Sequence, residues 1–386
     1  MSRALWFVAA AFCVTMIGTT LPTPLYPIYQ QTFGFSGALV TVIFATYAFA
    51  VIAGLMLFGH LSDRIGRKRV LIPGLILSAL SAVVFMTAAG LPAVLVGRVL
   101  SGLSAGIFTG TATATLVELA GDGRRTVATM LAVAANIGGL GTGTLLSGLL
   151  AQYATRPLFL PFAVDLALLV PVTAGVCFAP ETVKASESGF RLRVQRLRIP
   201  REIRGIFIRA AIAGICGFAV SGLFSAVVPT FLVRVLHDRN HAIPGLLVFL
   251  LFALSAIGQI AVNRVEKKFA LPLAAAALLA GVLCLAAAIW QQSLLLFFIS
   301  AAVAGFGQGL GIGFGLAEIN EEVEEQRGEV SSTYFVLLYI GLAIPVIGVG
   351  FISEAIGLID AGLVFCAFVG ATIAAVLASL PKMQTQ

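Results

Sequence analysis

Two charged residues stand where charge is expensive. Arg98 and Asp165 each interrupt a long apolar run, and Asp165 is the only carboxylate clearly inside one. A lone charge among apolar neighbours calls for a partner, a ligand or a proton. Asp165 therefore reads as a protonation site or as the counter-charge to a cationic substrate; paired with Arg98, it reads instead as half of a structural lock. A denser group occupies Gly59-His60-Leu61-Ser62-Asp63-Arg64-Ile65-Gly66-Arg67-Lys68. Its two glycines permit tight packing and a turn. Asp63 and Arg67 can form a charge cluster, and Glu118 or Asp122, at the end of a later apolar run, can hold Arg67.

Other chemistries lack their residues. His60, His237 and His241 fall in or beside loops and make neither a metal site nor a triad. The five cysteines (Cys13, Cys177, Cys216, Cys284, Cys366) lie far apart in apolar runs without CxxC spacing, and read as small buried hydrophobes. No Walker A sequence is present, so ATP is not expected as the direct energy source. The glycine strings at 138–148 and 305–315 lie within apolar spans rather than after a strand, which excludes dinucleotide loops. Neither an enzyme nor a bound cofactor or metal is expected.

The elements that position these residues follow from composition. Of 386 residues 59% are hydrophobic and 11% charged, with a mean hydropathy of +1.05. A soluble domain carries roughly a quarter charged residues, so lipid must be the solvent for most of this chain, and long unbroken runs select helices over a barrel. Twelve runs qualify, at about 4–29, 37–58, 70–90, 92–119, 126–151 and 157–179, then 207–235, 243–263, 271–290, 293–318, 330–353 and 359–380. The first is too long for a signal-peptide core and reads as an uncleaved helix. Pro22, Pro24 and Pro27 bend its end and suit a mobile, cavity-lining element.

Orientation follows from the basic residues. With the N-terminus inside, twenty of the 24 Lys and Arg fall in cytoplasmic segments and three in outer loops, while Arg98 lies within the outer half of helix four. A multi-pass inner-membrane protein with both termini cytoplasmic is expected, monomeric, with its positive charge a topology signal rather than a nucleic-acid surface. A basic segment at 181–206, carrying Arg191, Arg193, Arg196, Arg198, Arg201 and Arg204, divides a bundle at 1–180 from one at 207–386. It suits either anionic headgroups or a plain solvated linker.

The halves resemble each other. Gly59–Leu71 aligns without gaps to Gln259–Leu271, and the glycine triplet Gly102, Gly106, Gly110 recurs as Gly305, Gly309, Gly313. Glycines four apart let a neighbouring backbone approach. Asn263 and Glu266 replace Asp63 and Gly66, and Ala301 stands opposite Arg98, so the second half is expected to have lost its equivalents. The acidic run Glu318, Glu321, Glu322, Glu324, Glu325 suits either pairing with the basic loops or a solvated turn.

Here the residues meet a family. Gly59–Lys68 closely resembles the major facilitator signature G-x-L-x-D-R-x-G-R-K, between helices two and three, and the twelve-helix layout agrees with it. The resemblance implies an all-α fold of two pseudo-symmetric six-helix bundles that rock about a central cavity. It also implies that the loop, with Asp63, Arg64, Arg67 and Lys68, meets the start of helix eleven near Glu329–Ser332. There Ser331 or Ser332 suits an N-cap, and the positive helix end attracts Asp63 by roughly 0.3–1 kcal/mol when exposed. Such a latch favours the outward-facing state. Leu95–Gly106 resembles the family's helix-four motif, whose arginine (here Arg98) is linked to proton transfer in coupled members. Gly139–Gly148 is similar to the antiporter motif of helix five, with Thr144 where proline is usual and Ser147 where glycine is.

Thr23, Tyr26, Tyr47, Asn136, Gln259, Gln308, Tyr334 and Tyr339 are the polar residues expected to reach the cavity, which 28 phenylalanines make largely aromatic. The expected function is proton-coupled efflux of hydrophobic or drug-like molecules, driven by the proton gradient. A proton-coupled uptake symporter for a metabolite, and a non-transporting receptor or scaffold, are the alternatives.

Overall fold

In the computed structural model, residues 3–59, 61–183, 197, 199, 203–322 and 327–380 are described. The apolar runs form α1 (Arg3–Phe33), α2 (Gly37–Phe58), α3 (Arg67–Met86), α4 (Leu91–Ala120), α5 (Arg125–Tyr153) and α6 (Leu160–Phe178). The second set is α7 (Arg204–Ala226), α8 (Ala242–Ala261), α9 (Lys267–Gln291), α10 (Leu294–Glu322), α11 (Arg327–Ile356) and α12 (Leu358–Ser379). All twelve are long and apolar enough to cross a membrane. Phe178, Tyr153 and Trp290 stand uncovered on the outside of the bundle, as lipid-facing side chains do. The expected basic segment lies mostly outside the described residues, including Arg191, Arg193, Arg196, Arg198 and Arg201, and so do His60, Glu324 and Glu325.

The prolines interrupt the first helix as expected. α1 is helical over Arg3–Thr20, tightens to a 3-10 turn at Thr23–Leu25, and resumes at Tyr26–Phe33. The second half repeats the device: α7 gives way after Ala226 to a short helix, Val228–Arg234, with Pro229 in its first turn. Each break frees backbone groups that a straight helix would pair internally.

Each half repeats one packing scheme, in which α2, α3 and α4 contact as α8, α9 and α10 do, and α1 meets α5 as α7 meets α11. Gly106 of α4 lies so near α2 that a Cβ would sit 2.6 Å from the Val51 carbonyl; Gly309 of α10 meets the Ser255 carbonyl of α8 in the same way. Gly110 departs from the expected pattern. Its Cβ position is open space on the cavity, whereas Gly313 packs on Gln259. A polar contact is mirrored with its roles exchanged: Ser81 of α3 donates to the Gly97 carbonyl of α4 (2.9 Å), while Ser300 of α10 donates to the Gly281 carbonyl of α9 (2.8 Å).

The halves meet along α5–α8 and α2–α11. An even number of spans puts Arg3 and Ser379 at the same end, called the termini side below; the loops beginning at Gly34, Thr87 and Ala154 mark the far side.

Candidate transport site

A cavity of about 650 Å³ lies between the halves. Its mouth, lined by Asp63, Arg67, Glu118 and Arg125, opens at the termini side, and its deep end holds Thr23, Phe44 and Arg98. Thr23, Tyr47, Asn136, Gln259, Gln308 and Tyr339 line it, as six of the eight expected residues. Tyr26 and Tyr334 do not. Tyr26 is fully buried beyond the break in α1, in the core shared with Tyr29 and Phe224. Tyr334 sits about 100° around α11 from the cavity residue Phe335, a consequence of helical rotation. It packs edge-on to Phe207 and directs its hydroxyl at the Ala210 carbonyl of α7, 3.4 Å away. Missed in the sequence were the hydroxyl pairs Thr109/Thr113 and Ser221/Ser225, which also line the cavity. Their signal was present: small hydroxyls four apart in an otherwise apolar helix share one face.

Arg98 and Asp165 are not an ion pair. Arg98, 1% exposed, donates from Nη1 to the Thr19 carbonyl of α1 (2.8 Å) and stacks over the rings of Tyr47 (4.4 Å) and Phe44 (5.8 Å); its Nε has no partner. Asp165 lies against the bare Cα of Gly18, the preceding residue of α1, where an added Cβ would stand 2.6 Å from Oδ2. Its Oδ1 is unpartnered, and it makes no ion pair among the described residues. α1 thus passes between the two side chains and keeps them apart. Asp165 does not line the cavity either, which removes the reading of it as a direct counter-charge to a cation bound there.

At the mouth, the charge cluster is assembled. Arg67 pairs with Asp63 (2.5 Å) and with Glu118 (2.6 Å), and donates to Ser62 (2.7 Å). Arg64 is exposed and adds no bond to it, and the Asp122 side chain lies outside the described residues. Sequence reading missed Glu181. Its carboxylate accepts from the backbone N–H groups of Arg67 (2.7 Å) and Lys68 (3.2 Å), satisfying the first turn of α3. Lys68 Nζ in turn donates to the Cys177 and Ala179 carbonyls at the end of α6, and Thr182 donates to Glu118 (2.6 Å). The available signal was an acidic residue directly after Pro180, where α6 must end.

Gly66 makes this cap possible. Its φ of 108° belongs to glycine, and a Cβ there would lie 2.5 Å from Glu181 Oε2. Gly66→Ala is expected to cost about 1–3 kcal/mol, read as a lowered thermal unfolding midpoint of the purified protein. An unchanged midpoint would show that the cap does not contribute.

Two expectations about this side are corrected. α11 already begins at Arg327, so Ser331 and Ser332 lie within the helix and line the cavity mouth instead of capping its start. The second half has not lost every equivalent. Lys267, aligned with Arg67, pairs with buried Glu318 at 2.9 Å, so the bridge from loop to helix end survives although Asn263 replaces the aspartate. The neighbouring Lys268–Glu266 pair is exposed on both sides and contributes little.

The far side is closed by backbone. Gly148 of α5 and Gly245 of α8 cross so closely that a Cβ on either would approach the other's Cα to 3.1–3.2 Å. Thr144, standing where the helix-five motif has proline, donates to the Gly141 carbonyl (2.7 Å) and across the halves to the Gly245 carbonyl (3.2 Å). Ser147 donates to the Leu21 carbonyl of α1 (2.6 Å). The His241 N–H donates to Gln152 (2.8 Å), Thr230 donates to Gln30 (3.2 Å), and Thr41 of α2 packs onto Gly350 of α11.

The comparisons with known proteins agree with this geometry. At 25% identity the chain is similar to the bacillibactin exporter of Bacillus subtilis, over 92% of this chain and 91% of that one. It is 47% identical to the multidrug transporter mfsB of Aspergillus fumigatus over 62 residues, which are 16% of this chain and only 10% of that relative's length. Among solved structures it superposes on a bacterial homologue of the human lysosomal transporter Spinster, in an inward-facing and unoccupied conformation. The TM-score is 0.76 at 16% identity, covering 98% of this chain and 97% of that one. It superposes likewise on the human organic anion transporter MFSD10, with TM-score 0.70 at 18% identity, covering 97% and 99%. The sequence profile of the Major Facilitator Superfamily matches residues 8–346. With that match laid over twelve helices and an intact cluster between α2 and α3, the chain belongs to the major facilitator superfamily of membrane transporters.

Proposed function

We propose that this transporter exports hydrophobic or drug-like small molecules across the inner membrane in exchange for protons, with its termini in the cytoplasm. The observation that carries the reading is the cavity between the halves, open at the basic termini side and sealed at the far side by glycine contacts between α5 and α8. A relative named as an exporter, and others named for multidrug resistance, support the direction. Cargo enters the aromatic and hydroxyl-lined space from the cytoplasmic leaflet or the cytosol. The halves then rock about it, the far-side contacts part, and the cluster around Arg67 meets the start of α11. Asp165 is the proposed proton carrier and Arg98 its relay to the cavity. They touch consecutive residues of α1, so a charge change at one displaces the strut that holds the other. The protein needs no cofactor and works as a monomer.

A second reading has an observation in its favour. Because Asp165 does not line the cavity, proton and cargo do not compete for one carboxylate, and that separation suits a symporter as well. Inverted vesicles with an acidic interior separate the two. Antiport predicts proton efflux on adding a transported compound, whereas symport predicts substrate-dependent movement of both in the same direction. Asp165→Asn is expected to abolish the pH dependence of transport, and an unaltered pH profile in that variant would reduce Asp165 to a packing role.

A further inference from the structure

The charges of the cavity are not evenly placed. Among the described residues two carboxylates line it, Asp63 and Glu118, and both sit at the mouth engaged with Arg67. Arg98 alone marks the deep end; it is almost wholly buried, has an unpartnered Nε, and leans only on uncharged company, the Thr19 carbonyl and the Tyr47 and Phe44 rings. A guanidinium held this way remains short of an anion. Among the described lining residues, Arg67 and Arg125 balance Asp63 and Glu118 at the mouth, and Arg98 leaves one positive charge at the deep end, which favours anions there over cations.

The surroundings fit a molecule with one charged end. Phe218, Phe252 and Phe335 of the second half form an aromatic wall, and Phe218 packs edge-on to Tyr339 with 5.6 Å between ring centres. Gln308 also lines the cavity, 5% exposed with its Oε1 unpartnered; Gln259, 8% exposed with Nε2 likewise free, lines it two residues before the end of α8. Buried amides with unspent hydrogen-bonding capacity are costly unless something occupies them.

We propose that the cavity binds amphipathic organic monoanions, with a carboxylate on Arg98 and the apolar body against the phenylalanine wall. The inference rests on the reading of this cavity as the transport site, not on the direction of transport. A carboxylate takes parallel hydrogen bonds from a guanidinium, a geometry that neither an amide nor an ammonium reproduces.

The test uses three probes with one ring system: 1-pyrenebutyrate, 1-pyrenebutanamide and 1-pyrenebutylamine. Each is titrated calorimetrically into the full chain in nanodiscs of zwitterionic lipid, with empty nanodiscs subtracted. The carboxylate is expected to bind about tenfold or more tightly than the other two. Arg98→Gln should bring it down to the amide, and Arg98→Lys should keep the order of the three. Equal affinities, a preference for the ammonium, or no binding by any probe overturns the proposal. If Arg98→Gln does not yield monodisperse protein, the comparison on the unaltered chain still decides. Transport of the same probes in proteoliposomes isolates the earlier reading. Arg98-dependent carboxylate binding without proton-driven movement would sink the coupling and leave the anion site, whereas proton-driven efflux of the amine alone would do the reverse.

Discussion

Gly245→Val is expected to open the far side of the transporter. A Cβ at this position falls on the Thr144 carbonyl and within 3.2 Å of the Gly148 Cα, and both belong to the main chain of α5. A side chain in the way can change rotamer, but a backbone cannot, so α5 and α8 must separate. Overpacking of this kind costs roughly 1–3 kcal/mol, charged only to the state in which the helices touch, and the state open at the far side gains by the same amount. The readout is a cysteine at Thr23, a cavity-lining residue of the deep end, in a background without the five native cysteines. Its modification by an impermeant thiol reagent from the far side should accelerate by about tenfold or more. An unchanged rate would mean that the α5–α8 crossing is not the seal.

Arg67→Ala should be the most destabilising change at the other end. The Arg67 side chain is 9% exposed, against 32% for Glu118 and 51% for Asp63, and it holds both carboxylates and Ser62. Its loss leaves Glu118 partly buried with only Thr182. Removing one member of a fully buried pair costs about 3–5 kcal/mol, and solvent at Glu118 lowers this to roughly 2–3. Asp63→Asn should cost far less, since Arg67 keeps Glu118. Thermal unfolding of both variants in one detergent gives the order, and a larger loss for Asp63→Asn would contradict it.

Much of this architecture was legible in the sequence because it depends on local physics. Apolar runs long enough for a bilayer gave the spans, prolines placed the break in α1, and spacing within Gly59–Lys68 gave the cluster. What escaped depends on rotation about a helix or on partners distant in the chain. Tyr334 and Tyr339 lie on the same helix, yet only the latter reaches the cavity, because their faces are set by how α11 packs on α7. Glu181 caps α3 from more than a hundred residues away. Of the two readings of the acidic run, pairing with the basic loops holds at Glu318, but its partner Lys267 was not legible because the two lie on different helices. Arg98 and Asp165 share a depth, but only the path of α1 reveals that it runs between them.

That arrangement makes Gly18 and Thr19 a thermodynamic junction. One turn of helix is stiff, so a shift of the carbonyl held by Arg98 is also a shift of the surface on which Asp165 rests. Any factor by which bound cargo alters proton affinity on the α6 face must reappear as the factor by which the proton alters cargo affinity on the cavity face. Under the proposed coupling, acidity of the medium and charge of the cargo act as two handles on one strut, and a titration of either with the other held fixed measures the same quantity.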